Sequence, residues 1–347
     1  MRKGYLPAAH HHRLVDEITP SMRWDTESDV SAWQADAKDK LRSLLGLDQI
    51  EPYRTECEIE IEFDRIAEDL GCREIRFHFR SELDVTTPCH MVIPNGATAP
   101  LPVVIALQGH GTGMHLSLGR SKFERDLDDE YCRNSPSAFA KRAVEEGVVA
   151  VTLEQRCMGE NGGDPKIGVP DCFEPSMKAM LVGRTIIGER VWDISRLIDT
   201  MEKFFSHIVD TNKIICLGNS GGGTATVYAT AMDERIKIGV PSCAVCQFAD
   251  SIAFMYHCNC NFIPGIAKYF DMGDICAMSA PRDLIVVNGS KDSIFLTSGA
   301  LNSVDVARLA YQEMGVDERL VHIIGPLGHQ FFPDLAWPYI HKALSRL

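Results

Sequence analysis

The chain has 347 residues, enough for one large α/β domain with additions or for two domains. Its 35 Lys and Arg against 48 Asp and Glu leave a net charge of -13, which argues against nucleic acid as a partner, because phosphate binding calls for a basic surface. No apolar run reaches transmembrane length, and Met1-Arg2-Lys3-Gly4-Tyr5 lacks the apolar core of a secretion signal; the 12 cysteines therefore read as free thiols in a reducing cytoplasm.

In chain order, residues 1–28 read as an irregular leader, with His10-His11-His12 as a polar turn without a metal role. Asp29 to Leu45 has the spacing of an amphipathic helix closed by Gly46. Thr55–Phe63, Glu74–Arg80 and Cys89–Ile93 alternate as an antiparallel meander. The pattern then changes. Val103–Leu107 is a continuous apolar run, as in a strand buried on both faces. Helix Ser137–Glu146 and strand Val148–Leu153 follow, then an irregular stretch from Cys157 to about Pro175. The spacing predicts a helix over Gly183–Phe205, a strand over Lys213–Leu217, a helix over Thr224–Met232 and a strand over Ile236–Pro241. After an aromatic, Cys-rich insertion at 243–277 come strand Leu284–Asn288, helix Val304–Met314, strand Leu320–Ile324 and a closing helix at Pro338–Leu344. Alternating strands and helices imply βαβ units, a mostly parallel central sheet with antiparallel N-terminal strands, and helices on both faces. The expected division is an N-terminal helical extension at 1–50 and a catalytic domain at 51–347, with lid-like insertions near 157–180 and 243–277.

The strand at 213–217 runs into Gly218-Asn219-Ser220-Gly221-Gly222, a Gly-x-Ser-x-Gly placed between a strand and a helix. That context makes Ser220 a nucleophile at the tip of a strained turn. A serine hydroxyl needs a general base, and the base needs an acid that fixes its tautomer. Both are expected on loops after later strands, in the order Ser, Asp, His. Asp292 follows one such strand in Gly289-Ser290-Lys291-Asp292, and His329 follows the last one in Gly325-Pro326-Leu327-Gly328-His329. Asp250 is the rival acid. The oxyanion donors are expected to be the N–H of Gly221 and one from Gln108-Gly109-His110-Gly111-Thr112-Gly113, with His110 first and Gly111 second. The same glycines partly mimic a dinucleotide fingerprint, but the spacing departs from it and no helix follows directly.

These segments resemble the α/β-hydrolase superfamily. Gly183–Asp193, Gly218 through Ile236, and Val240-Pro241-Ser242-Cys243 are similar to bacterial acetyl xylan esterase-like hydrolases, related to dienelactone hydrolases and cephalosporin-C deacetylases. The resemblance covers roughly residues 29–345. It implies a Ser220-His329-Asp292 carboxylesterase that removes acetyl or another small acyl group, from carbohydrate above all. Gln108 departs from a frequent histidine, and Cys157 from a frequent glycine. Peptidase, thioesterase and catalytically silent binding protein remain as alternatives.

Cys243-x-x-Cys246 followed by Cys258-x-Cys260 has the look of a zinc cluster, against the plainer reading of small buried apolar residues. The ester chemistry requires no cofactor or metal, and none is expected. The apolar insertion, with Phe248, Phe254, Met255, Tyr256, Phe262 and Tyr269, reads as a lid over the acyl pocket or as a dimer contact. The expected partner is a small-molecule or oligosaccharide ester, with no membrane, and a homo-oligomer is left open.

Overall fold

Alternating apolar side chains on the central strands feed two separate cores, one on each face of a single sheet. On β4 (Leu101–Leu107), Val103, Ile105 and Leu107 face one core, while Val104 and Ala106 face the other. The same division recurs on β6 (Val209–Asn219) and on β8 (Asp283–Gly289). The computed structural model describes residues 6–26, 29–98, 100–163, 166–168 and 170–347. Parts of the expected leader (1–5, 27, 28) and of the irregular stretch (164, 165, 169) lie outside the described residues.

The remaining strands are β1 (Ile59–Ala67), β2 (Cys72–Glu82), β3 (Val85–Pro94), β5 (Val149–Leu153), β7 (Ile236–Ser242) and β9 (Leu320–Gly325). The sheet has 9 strands in the order β1-β2-β3-β5-β4-β6-β7-β8-β9. β1, β2, β3 and β5 pair antiparallel in turn, and β5, β4, β6, β7, β8 and β9 are parallel. The helices are α1 (Pro7–Glu17), α2 (Val30–Leu45), α3 (Leu47–Ile50), α4 (Asp129–Asn134), α5 (Phe139–Glu145), α6 (Phe173–Leu181), α7 (Ile186–Phe204), α8 (Gly221–Met232), α9 (Met272–Ala277), α10 (Thr297–Glu313) and α11 (Pro333–Leu344). Helices α2, α7, α8, α9 and α10 contribute to the larger core, and α5 and α11 to the smaller one. Among the described residues, no helix is long and apolar enough to cross a membrane.

Local chemistry sets the helix ends that matter here. The Asp29 carboxylate accepts from Ala32 N–H at 2.8 Å and starts α2. Gly46 ends it at φ 76°, a left-handed conformation open to glycine. Thr185 Oγ1 accepts from Gly188 N–H at 3.0 Å to cap α7 and donates to Leu45 C=O at 2.8 Å, tying α7 to the end of α2. Leu41 and Leu45 are fully buried in the larger core.

Several boundaries differ from expectation. The leader contains α1, opened by Pro7 at its first turn; it has no buried residue, so hydrophobic spacing carried no signal. His10–His12 belong to this helix rather than to a turn, and His12 Nε2 lies 3.0 Å from Ala249 O. The stretch after Cys157 holds α6, with Pro175 in its first turn, where an N–H is dispensable. β1 starts at Ile59 rather than Thr55, because pairing with β2 sets its extent. The last helix starts at Pro333 and carries Pro338 inside it. The second half of the 243–277 insertion is core rather than lid: Phe270, Met272 and Ile275 are fully buried.

Leu41→Ala should destabilise the chain by about 3 kcal/mol through the lost burial and the cavity left between α2 and the sheet. Urea unfolding followed by far-UV circular dichroism checks this; a loss below about 0.5 kcal/mol would show α2 to be loosely docked.

Candidate active site

The β6–α8 junction is built for close approach. A Cβ on Gly218 would lie 2.4 Å from Gly222 C and O, and one on Gly222 would lie 2.1 Å from Leu107 O. Backbone therefore packs on backbone, and Ser220 is left at the tip with φ 56° and ψ -121°. For a residue with a side chain this conformation costs on the order of 1–3 kcal/mol. The surroundings hold it: Ser220 N–H donates to Ser242 C=O at 2.9 Å, and Ser242 Oγ donates to Asn219 Oδ1 at 2.8 Å.

Asp292 and His329 come together behind β8 and β9. His329 Nδ1 lies 2.8 Å from Asp292 Oδ2; a carboxylate only accepts, so Nδ1 carries the proton. Asp292 Oδ1 accepts from Ile294 N–H at 2.8 Å and Phe295 N–H at 3.2 Å. Burial opposes ionisation of Asp292, but the His329 contact and the two amides outweigh it and hold the carboxyl below its usual range. Phe295 stacks on the His329 ring at 5.9 Å between centroids, which fixes the ring plane. Asp250 lies away from this pair, beside Gly299.

The loop after β4 passes directly over Ser220. A Cβ on Gly109 would lie 3.1 Å from Ser220 Cβ. Among the described residues, no acceptor takes the N–H of His110 or Gly111, and the first amides of α8, Gly221 included, have no acceptor within the helix. Backbone N–H groups near Ser220 are thus free to meet an oxyanion.

The Abhydrolase family model matches residues 9–302. The chain belongs to the Abhydrolase family. Its sheet and helices have the α/β-hydrolase fold. The chain is 25% identical over 220 residues to a Bacillus subtilis (strain 168) protein named as a hydrolase, YtaP, covering 61% of this chain and 67% of that one. It is 27% identical over 170 residues to the 4-O-methyl-glucuronoyl methylesterase of Hypocrea jecorina (strain QM6a), covering 41% of this chain and 36% of that one. A crystal structure named as an acetyl xylan esterase, from Bacteroides fragilis NCTC 9343, superposes with a TM-score of 0.80 at 17% identity, covering 98% of this chain and 95% of that one.

The cysteines of this Abhydrolase family member do not form the expected group of four. Cys243, at φ 47° after β7, points its thiol at Gln330 C=O (3.3 Å), beside Asp292 and His329. Burial and the Asp292 charge push that thiol up to about 12, so it stays neutral. Cys246 donates to Leu296 C=O at 3.4 Å. The short turn around residues 259–261 carries Cys258 and Cys260 to the opposite side, where they meet His110 and Cys172. The Nε2 of His110 lies 3.1 Å from Cys260 Sγ, and its ring occupies the space a Gly221 side chain would fill, 2.6 Å from an ideal Cβ there. Burial disfavours the charged ring, but Cys172 and Cys260 outweigh it and lift His110 to about 9.

Sequence reasoning missed three contributors. His257 lies edge-on to Phe295 at 5.3 Å and is pushed down to about 4 by burial and by the His110 and His329 charges, so it stands there as a neutral ring. Cys172 carried no spacing signal linking it to Cys258. Glu154, at the end of β5, accepts from Met114 N–H and Glu160 N–H, both at 3.1 Å, and supports the loop after β4. Around the insertion tip, Phe254 and Tyr256 are 58% and 91% exposed.

Burial pushes Glu154 up to about 8, from 4.5. A carboxyl raised on folding stabilises fully below the lower value and loses that contribution as pH rises towards the higher one. Thermal denaturation of wild type beside Glu154→Gln, across pH 4.5 to 8, should show wild type losing a few kcal/mol more than the variant. Parallel curves would mean that the carboxyl ionises in place.

Proposed function

We propose that the chain is a serine esterase acting on carbohydrate esters with a small acyl group, acetyl above all. The observation that carries this reading is Ser220 at φ 56° between β6 and α8, together with the His329–Asp292 pair at 2.8 Å. A serine held in that turn has its hydroxyl raised clear of its neighbours, and a histidine protonated at Nδ1 keeps Nε2 free as a base.

Nε2 of His329 takes the Ser220 proton as Oγ attacks the ester carbonyl. Asp292, held by two amides, orients the ring and balances the imidazolium. The N–H of Gly221 and that of His110 or Gly111 hold the oxyanion. His329 then protonates the leaving alcohol, and water releases the acyl group by the same steps in reverse. No metal or cofactor takes part in these steps. A cleft of about 230 Å³, lined by Gly111, Thr112, Leu116, Arg125 and Tyr131, opens on the loop that carries the proposed oxyanion donors.

The match to a 4-O-methyl-glucuronoyl methylesterase favours a second reading, in which the sugar supplies the acyl side and methanol leaves. Acetate release from acetylated xylo-oligosaccharides and methanol release from methyl 4-O-methyl-glucuronate separate the two. The first is expected to dominate; dominance of the second would move the sugar to the acyl side. Turnover of peptides or acyl thioesters alone would overturn both.

Ser220→Ala should reduce kcat on 4-nitrophenyl acetate by at least about 10⁴-fold, and Asp292→Asn by about 10⁴-fold, with the fold intact by circular dichroism. Retention of most of the activity in Ser220→Ala would remove it as the nucleophile.

A further inference from the structure

We propose that His110, Cys172, Cys258 and Cys260 form a binding site for one zinc ion that joins three loops around the active site. The Nε2 of His110 and the three Sγ atoms all lie within 4.8 Å of one another. Individual approaches are 3.1 Å for His110 Nε2 to Cys260 Sγ and 3.4 Å for Cys258 Sγ to Cys260 Sγ. Tetrahedral zinc with Zn–S bonds of about 2.3 Å sets its sulfur ligands roughly 3.8 Å apart, so modest side-chain adjustment brings all four into one shell. Three cysteines and one histidine form a donor set for closed, structural zinc, with no position left for water or substrate.

A buried charge points to the same site independently. Arg190, on α7, is fully buried. Its guanidinium donates to Arg156 C=O (2.8 Å), Cys260 Sγ (3.3 Å) and Cys172 Sγ (3.6 Å). Among the described residues, no carboxylate bonds to it; neighbouring Glu189 and Asp193 are engaged with Arg156 instead. A guanidinium without water needs an anion. Three thiolates and one histidine around Zn²⁺ carry a net charge of minus one, which Arg190 balances. The ligands come from the loop after β4, the segment leading into α6 and the insertion after β7, so the ion would pin these segments beside Ser220. This inference does not depend on the substrate assignment.

Zinc content and cobalt spectra of the full chain, expressed without a tag, test the site. Inductively coupled plasma mass spectrometry should find one zinc per chain. After chelation, Co²⁺ should restore one ion per chain with intense thiolate-to-cobalt charge-transfer bands. Those bands report sulfur ligands and so distinguish the site from any ion held at His10–His12. Cys172→Ser and Cys258→Ser should each cut zinc content at least tenfold, while Cys246→Ser, whose thiol faces Leu296, should keep it. The wild-type cobalt spectrum decides the matter even if a variant misfolds. A wild-type chain that stays metal-free after zinc supplementation and shows no charge-transfer band overturns the site. So does a disulfide among Cys172, Cys258 and Cys260, mapped by peptide mass spectrometry of the unreduced chain, or retention of zinc in both cysteine variants.

Discussion

Backbone contact between β6 and α8 is the constraint on which the rest of the site depends. Gly218 and Gly222 bring the two elements closer than any side chain allows, and that approach forces the intervening turn. The strain at Ser220 is balanced by bonds to β7 and by a helix and two strands buried on both faces. The loop after β4 then has one course open to it, over the serine. Glu154 props that loop from below. The amides of the loop after β4, Ser220, Asp292 and His329 follow the C-terminal ends of four different parallel strands, β4, β6, β8 and β9.

A second level of organisation lies beside α7. Arg156 bridges Glu82, Glu189 and Asp193, and Arg184 reaches Glu82 at 2.7 Å. Breaking one partner of such a buried network costs more than the pair contributes, because the other charge is left stranded. The network fixes Arg156, whose carbonyl in turn receives Arg190. A chain of contacts runs from α7 through Arg190 to the Cys172 and Cys260 thiols, and from Cys260 to His110 above the Ser220 turn.

What was legible in the sequence follows from how local each signal is. The strands buried on both faces, the amphipathic α2 and α7, and the Ser220 turn declare themselves in short windows of apolar spacing and glycine placement. The order of Asp292 and His329 at successive strand ends made the meeting of that pair foreseeable, since the parallel sheet brings those ends to one edge. Helix α1 was not legible, because it buries nothing and has no side-chain cap. The thiol cluster was legible only in half. Cys258 and Cys260 stand two apart, but Cys172 lies far off in an irregular segment, and Cys243 and Cys246 suggested a nearer grouping that the end of β7 turns away. Arg190 carries no such signal; only the packed structure shows that sulfur is among its partners.

The His110 ring occupies the volume above Gly221, and that makes positions 110 and 221 a steric pair. The absence of a side chain at 221 serves less for turning the chain than for leaving room for an imidazole. Substitution tolerance at one position is therefore conditional on the other. A methyl group at 221 would oblige the His110 ring to move, and the bond from Cys260 resists that movement.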